Sequence, residues 1–361
     1  MAQQIILQRQ VQQVGQVATR MAILTRPGCQ ELLACTFADT DARTSLITLG
    51  QQITDLGAQV LTADLFDRCG LGTETPYPIS ELLTTTEGLC GVCIRAVKGT
   101  QVRTIWEGQR PIGSLWADQF GRYLWLSGLL PDARTDSPAT QARNLFGKMD
   151  HVLRQVGMAF TDVVRTWFYN DRITCWYDQF NRVRNEFFQQ HGLFSGLVPA
   201  STGIGIPNPY GTAIVGGLLA VKAKEQVITA RAVQSPLQGP ALEYGSSFSR
   251  AVELVWPDHT RLLVSGTASI DQQGRTCHIG DPAGQIGLTI EVVDRLLQAN
   301  GYGWTDVVRI VAYVTDVRLR QILLERLLDV QDLPIIITPA QICRPDLLFE
   351  MECEAIRLTA P

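Results

Sequence analysis

The stretch TDVVRTWFYND at residues 161–171 returns as TDVVRIVAYVTD at residues 305–316, and this repeat decides the fold. Each copy follows an amphipathic stretch, first NLFGKMDHVLRQVG and later GLTIEVVDRLLQANG. Upstream of each stretch is an apolar run, YLWLSG or LLVSG, which ends at Gly128 or Gly266. The order of apolar run, helical pattern and β-branched run predicts one strand–helix–strand unit that occurs twice.

The first hundred residues show a weaker version of the same pattern. They contain apolar runs, the helical stretch SLITLGQQITDLG and the Gly/Pro-rich segment RCGLGTETPYP. We therefore predict an α+β protein of tandem modules with mixed sheets and helices packed on one face. The predicted boundaries are 1–91 for a degenerate N-terminal module, 92–235 for a central module and 236–361 for a C-terminal module.

Composition limits the possible partners. The 361 residues are 45% apolar and 18% charged, which excludes disorder, and the net charge of −4 offers no field for nucleic acid. No apolar run is long enough for a membrane span, and the N-terminus has no signal-peptide pattern. Nine cysteines without a secretory signal indicate free thiols in a cytoplasmic protein. We expect a monomer with intramolecular module interfaces or a homo-oligomer.

Cys90 and Cys93 form the C-x-x-C pair of the run LCGVCIRAV. A zinc site needs a second pair of ligands at suitable spacing, and the four histidines lie far from this run in sequence. Buried thiols are the favoured interpretation. We expect neither a metal nor a cofactor.

Three carboxylates alternate with apolar residues in FEMECE at 349–354. Period-2 alternation places Glu350, Glu352 and Glu354 on one face of a strand. One interpretation is a solvated sheet face opposite the core. The other is that one glutamate turns into a cleft and acts as a general acid, with a pKa raised by burial.

Other candidate ligand groups have two interpretations each. Arg165 and Tyr169 share a face of the repeated strand, where an arginine either forms a structural ion pair or binds a carboxylate bidentately. Arg309 occupies the equivalent place in the second copy. Thr202, in PASTGIG, lies either near a ligand or in a tight turn. His278 is interpreted as a structural or capping-loop residue.

The module pattern resembles the RidA/YjgF superfamily, whose members have a chorismate mutase-like α+β fold. The resemblance rests on the Ser-Gly strand end, the G-D-x-x-x-Q before the helix, T-D-V-V, P-A-x-x and the final E-x-E. Deaminases of that superfamily use an arginine in the P-A-x-x stretch. This chain has PAST at 199–202 and PAQI at 339–342, so the resemblance argues against imine deamination.

A narrower resemblance extends from residue 106 to the C-terminus. The motifs occur in the order WEGQRP, RTWFY, PASTGIG, YG with FSRA, SGTASI, HIGDPAGQ and CRPDLLFEME. Together they resemble the chorismatases, relatives of RidA that cleave chorismate to pyruvate and a cyclic acid. The first hundred residues match little of that family.

This resemblance implies a set of site residues. Glu350 would be the general acid that protonates the enol ether, and Arg165 and Tyr169 would contact a carboxylate. Gly266 and Cys343 match the branch that makes 3-hydroxybenzoate, whereas the hydrolytic branch carries alanine at both places. The remaining candidates for substrate binding are Thr202, Tyr244, Arg250, Thr267 and Tyr313. The alternative function is a non-catalytic RidA-like protein that binds small carboxylic acids or stabilises an assembly.

Overall fold

The computed structural model describes residues 5–14, 17–38, 42–72, 74–84, 89–327 and 333–359. These residues form three six-stranded mixed sheets. The first contains β1 Ile6–Val14, β2 Val17–Arg26, β3 Cys29–Ala38, β4 Gln59–Asp67, β5 Ile79–Leu83 and β6 Cys90–Lys98. The second contains β7 Val102–Glu107, β8 Arg110–Ala117, β9 Gly121–Leu129, β10 Val163–Asn170, β11 Ala200–Ile204 and β12 Ile214–Ala223. The third contains β13 Thr229–Val233, β14 Ala251–Val255, β15 His259–Ala268, β16 Val307–Val314, β17 Ile335–Pro339 and β18 Phe349–Leu358.

All three sheets have the same topology. The first has the order β1-β2-β3-β6-β4-β5, and the other two repeat it with their own strands. In each sheet the last pair is parallel and the other pairs are antiparallel. A helix connects the third strand to the fourth in every module. The helices are α1 Ala42–Asp55, α2 Pro138–Gln155, α3 Tyr177–Gln190, α4 Pro282–Ala299 and α5 Leu319–Arg326. The predicted tandem α+β architecture is confirmed.

The repeated Thr-Asp pair closes the turn before each repeated strand. The carboxylate of Asp162 accepts a hydrogen bond from the backbone N–H of Ala159 at 2.9 Å. Asp306 accepts one from the N–H of Gly303 at 2.8 Å. Because the two turns have the same geometry, the strands that follow enter their sheets in the same way.

A β-bulge occurs at the same position in all three modules. The register shifts just before Thr62 in β4, Arg165 in β10 and Arg309 in β16. A bulge changes the direction of the side chains that follow it. Arg165 and Arg309 are both almost fully buried, and both lie on the side of the sheets that faces the other modules.

The helices α2 and α4 begin with matching N-caps. The Ser137 side chain accepts from the N–H of Thr140, and the Asp281 side chain accepts from the N–H of Gly284. Proline occupies the first turn of each helix, where its missing N–H costs nothing. His278 lies in the left-handed conformation three residues before Asp281, in the turn that leads into α4.

Helices cover one face of each sheet, and the opposite faces pack against one another. Separate apolar clusters lie beneath α1, α2 and α4. A further cluster joins the inner faces of all three sheets, with Leu33 from the first, Trp125 and Trp167 from the second and Val308 from the third. Burial of these faces within one chain makes the module interfaces intramolecular.

The sheets divide the chain at positions that differ from the predicted boundaries. Residues 90–98 form β6, which pairs with β3 and β4 of the first sheet, so that sheet continues past position 91. β13 starts at Thr229 and pairs with β14 of the third sheet. The predicted boundary after residue 91 therefore lies within β6, and the predicted boundary after residue 235 lies in the loop between β13 and β14. A division into independently folding domains stays a prediction.

Candidate active site

A cleft lies where the second and third modules meet, between α3 and β11 on one side and β15 and β18 on the other. The backbone N–H of Ser201 in β11 donates to the Ser265 hydroxyl in β15 at 2.9 Å, which joins the two sheets at the base of the cleft. The enclosed volume of the cleft is about 50 Å³, and the cleft opens to solvent.

Glu350 projects into this cleft from β18 and is 5% exposed. Its carboxyl group has no hydrogen bond or ion pair to any described residue. Burial, and then the negative charge of Glu352, raise the pKa of Glu350 to about 8, although Arg165 partly opposes this. The carboxyl group is therefore protonated at neutral pH, which a general acid requires.

All three carboxylates of the FEMECE strand are buried, so the interpretation as a solvated sheet face is wrong. Glu352 and Glu354 are 0% and 3% exposed. The face that carries them packs against the other two modules, where Arg95 of the first module pairs with Glu354 at 2.7 Å. Within one module this face would be solvated, and only the neighbouring modules bury it.

Gly266 lies directly against Glu350. A Cβ atom at this position would overlap with Oε1 of Glu350 and would approach Cγ2 of Thr202 to 3.4 Å. Glycine at position 266 therefore makes room for the proposed acid itself. The Glu350 carboxyl group occupies the space that a side chain at position 266 would need.

Three arginines surround the cleft without pairing to any carboxylate of the described residues. Arg184 of α3 is 2% exposed; its Nη2 donates to Asn181 at 2.7 Å and its Nε has no partner. Arg250 donates through Nε and Nη2 to the carbonyl oxygen of Gly239. Arg344 donates to the carbonyl oxygen of Gly274. The cleft is thus cationic, because its own carboxyl group is protonated.

Aromatic rings form the apolar walls between these cations. The rings of Tyr177, Tyr244 and Phe248 all line the cleft. The guanidinium of Arg250 lies 5.4 Å from the ring centroid of Tyr244 and 5.5 Å from that of Phe248. Flat apolar walls with cations around them suit a planar or nearly planar ring that bears carboxylates.

Cys343 lines the cleft beside Glu350 and is half-buried. Burial, together with the nearby Glu350 carboxyl group, raises the pKa of the Cys343 thiol to about 12. The group is a neutral thiol at physiological pH. It can therefore donate a weak hydrogen bond, and the thiolate form is strongly disfavoured.

The structure divides the predicted site residues into two groups. Glu350, Cys343, Gly266, Tyr244 and Arg250 line the cleft. Behind it, and outside its lining, lie Arg165, Tyr169, Thr202, Thr267 and Tyr313.

Arg165 was predicted to bind a substrate carboxylate, but its Nη2 pairs with Glu352 at 2.7 Å and donates to Thr202 at 2.6 Å. The structure thus contains the ion pair, and contact of Arg165 with a substrate carboxylate stays a prediction. Tyr169 and Tyr313 are fully buried against the same ion pairs, and the Thr267 hydroxyl donates to the carbonyl oxygen of Ser265.

Sequence reasoning did not select Arg184, Arg344 or Tyr177. Tyr177 and Arg184 lie seven residues apart, two turns of α3, and therefore share one face of that helix. This spacing was a detectable signal. Arg344 lies in the quoted motif CRPD, next to Cys343, but no pattern in the sequence indicates that its side chain reaches the cleft.

The two equivalent positions in the other modules carry no carboxyl group. In the third module, Tyr313 of β16 pairs with Glu350 of β18. The equivalent pairs are Tyr169 with Val215 in the second module and Phe66 with Gly91 in the first. A Cβ atom on Gly91 would overlap with the side chain of Ile336. Only the third module supplies a carboxyl group at this position.

Cys90 and Cys93 are both buried free thiols, as the favoured interpretation predicts. The Sγ atoms of Cys93 and Cys35 lie 3.3 Å apart across the first sheet. Among the residues that the structure describes, no group of three or more potential ligands could hold a metal ion. No helix in the same residues is long and apolar enough to cross a membrane.

Comparison with known proteins gives a likeness at the level of fold. No family model matches the sequence, and no curated protein matches it. A crystal structure of a chorismatase superposes with a TM-score of 0.64 at 21% identity, over 82% of this chain and 92% of that one. At that identity the likeness establishes a shared fold.

Two shorter crystal structures match a smaller part of the chain. One is a member of the YjgF/YER057c/UK114 family from Mycobacterium tuberculosis, at 24% identity and a TM-score of 0.28 over 35% of this chain and 98% of that one. The other is RidA from the Antarctic bacterium Psychrobacter sp., at 18% identity and a TM-score of 0.29 over 35% and 98%.

Proposed function

We propose that this protein is an enzyme that cleaves chorismate to pyruvate and a cyclic acid. The observation that carries the proposal is that the buried Glu350 carboxyl group has no partner among the described residues and that the three arginines of its cleft pair with no carboxylate of those residues. The raised pKa of Glu350 fits the role of an acid. Chorismate carries two carboxylates and an acid-labile enol ether. The cleft thus offers the two kinds of group that such a substrate requires. The chorismatase motifs in the sequence and the shared fold support the same choice.

The chemistry begins with a proton transfer. Glu350 donates its proton to the methylene carbon of the enol ether, which leaves an oxocarbenium ion and the Glu350 carboxylate. Water, or the neighbouring ring hydroxyl, then traps the cation and the ether C–O bond breaks to release pyruvate. Capture by water gives a dihydroxy-diene acid with one water consumed. In the internal route the 4-hydroxyl oxygen adds to the cation and passes its proton to the ether oxygen as the ether bond breaks. The ring C4–O bond then breaks, so that this oxygen leaves as the carbonyl oxygen of pyruvate. Loss of the C3 ring proton to the Glu350 carboxylate gives 3-hydroxybenzoate with no net water.

The charges in the cleft favour binding of a dianionic substrate, and the bound substrate opposes ionisation of Glu350. Arg184, Arg250 and Arg344 attract a dianion. Their hydrogen bonds go to Asn181 and to the carbonyl oxygens of Gly239 and Gly274, and none of the three pairs with a carboxylate of the described residues. A dianionic ligand also opposes ionisation of Glu350, because like charges in a buried site raise the pKa of an acid. The substrate therefore helps to keep its own acid protonated.

The first test is incubation of the purified protein with chorismate. We expect pyruvate, measured by a coupled lactate dehydrogenase assay, and 3-hydroxybenzoate in equal amount by chromatography. A dihydroxy-diene acid or 4-hydroxybenzoate in its place would contradict the product assignment and leave the cleavage intact. No pyruvate at all would favour the alternative, a protein that binds small carboxylic acids.

The second test concerns product selection by Gly266 and Cys343, which match the 3-hydroxybenzoate branch. Replacing both with alanine is expected to shift the product towards the dihydroxy-diene acid. Because a methyl group at position 266 overlaps with Glu350, the double variant will also release pyruvate more slowly. The quantity to measure is the ratio of the two acids per pyruvate released, with Cys343→Ala as the variant that leaves Glu350 in place. An unchanged ratio in both variants would rule out this pair as the determinant.

A further inference from the structure

Glu352 follows Glu350 by two residues on β18, so both side chains leave the strand on the same side. Glu350 has no hydrogen-bond or ion-pair partner among the described residues, whereas both carboxylate oxygens of Glu352 have partners. Arg165 of the second module pairs with its Oε2 at 2.7 Å, and Arg309 of the third module pairs with its Oε1 at 2.5 Å. The Thr202 hydroxyl donates to Oε2 as well.

These contacts hold Glu352 in its ionised form. Its side chain is 0% exposed, and burial alone would favour the neutral acid. Arg309 and Arg165 outweigh that effect and keep the pKa of Glu352 below its usual value. Arg309 also lies 3.5 Å from Asp64 of β4, so the N-terminal module reaches the same cluster.

The charged and titratable groups around Glu350 come from β10, β18, α3 and the loops that precede β14 and β18. Glu352 and Arg165 approach it from the interior, and Cys343 and Tyr177 approach it from the cleft. The cleft also contains the cations Arg184, Arg250 and Arg344. Cys343 and Tyr177 are neutral near pH 7, because burial raises the pKa of both groups. The negative charge that acts on Glu350 is therefore that of the Glu352 carboxylate.

We propose that Glu352 is a positioning residue that keeps the Glu350 carboxyl group in its acid form, by the repulsion between two side chains on the same face of β18. Its catalytic meaning rests on the proposed function, whereas the electrostatic coupling does not. The two arginines stabilise the charge of Glu352, and this charge adds to burial in favouring the protonated form of Glu350. A strand face with three carboxylates thus has one acid and two ionised partners of arginine.

The test measures the titration of Glu350 with and without the Glu352 charge. The free energy of unfolding is measured between pH 4 and 9 for wild type and Glu352→Gln, each with and without the additional change Glu350→Gln. In each background, the value with Glu350→Gln minus the value without it reports the titration of Glu350. In the wild-type background we expect the difference to rise up to about pH 8, following the raised pKa of Glu350. In the Glu352→Gln background the rise should end about 1–3 pH units lower, because Arg165 then attracts the Glu350 carboxylate alone. An unchanged midpoint would overturn the proposal.

A second variant covers the case in which Glu352→Gln does not fold. Arg165→Met removes the cation that opposes Glu352 at Glu350, while Arg309 still pairs with Glu352 and holds its charge. The alkaline limb of kcat/KM should therefore move above pH 8. Trp167→Phe is the matched control, because it removes the hydrogen bond that Trp167 Nε1 donates to Glu352 at 3.1 Å but removes no charge. The alkaline limb of kcat/KM should stay at the same pH in this control variant. If Arg165→Met changes only KM and not the limb, the cluster does not act on Glu350.

The two proposals fail in different ways. If the wild-type protein releases no pyruvate, the proposed function fails, and the unfolding measurements still decide whether Glu352 controls Glu350. If pyruvate is released but Glu352→Gln lowers the rate equally at every pH, Glu352 is structural only and the inference is wrong.

Discussion

Replacing Glu350 with glutamine is expected to reduce the release of pyruvate from chorismate by at least about 100-fold, the size typical of a lost general acid. Glutamine keeps the shape of the side chain but has no proton of comparable acidity to donate. Steady-state kinetics at pH 7 measure the effect. Glu291→Gln, the same change at an exposed position of α4, is the control and should leave the rate unaltered. Wild-type rates in Glu350→Gln would eliminate this residue as the acid.

The same residue predicts the pH dependence of the reaction. A general acid acts only when protonated, and the pKa of Glu350 is raised to about 8. The rate constant kcat/KM should therefore hold up to neutral pH and fall as pH rises through about 8. A limb near pH 4.5, the usual range of a glutamate, would show that the carboxyl group is not shielded in the free enzyme.

Glu350 also links stability to pH, with the opposite sign from an ordinary paired carboxylate. Its folded-state pKa is above the unfolded value, so between about pH 4.5 and 8 the folded state binds more protons. Stability therefore falls as pH rises through that window. Glu350→Gln should remove this loss and be more stable than wild type at pH 9 by at least about 2 kcal/mol, with little difference at pH 4.

Arg184→Met is expected to raise KM for chorismate about 10- to 150-fold, the loss of one charge-assisted contact to a carboxylate. Arg184 is buried and pairs with no carboxylate of the described residues, so a ligand carboxylate would supply the counter-charge that it lacks. Burial of an unpaired guanidinium costs free energy, and the variant should therefore be at least as stable as wild type to unfolding.

The matched control for this substitution lies on the same helix. Arg182→Met alters an exposed arginine two residues away, where the side chain points to solvent. It should leave KM unchanged. Equal KM values in both variants would return Arg184 to a structural role, and a stability loss confined to Arg184→Met would lead to the same conclusion.

The sequence alone determined the repeated module, because its signals are local. The Thr-Asp pair that closes a turn, the apolar period of each helix and the alternation in FEMECE depend only on neighbouring residues. The same locality explains why Glu350, Gly266 and Cys343 could be selected from short motifs. The topology of the first module, whose sequence matches the others poorly, nevertheless follows the same strand order.

Only the tertiary structure decided what faces the three carboxylates and where Arg165 points. Alternation shows that Glu350, Glu352 and Glu354 share a face, but the burial of that face depends on two other modules that are distant in sequence. The bulge before Arg165 and Arg309 directs both toward Glu352, and α3 brings Arg184 to the cleft in place of Arg165. The charge state of a carboxyl group depends on which cations lie within a few ångströms and how much water is excluded. Both conditions arise only when the modules pack together.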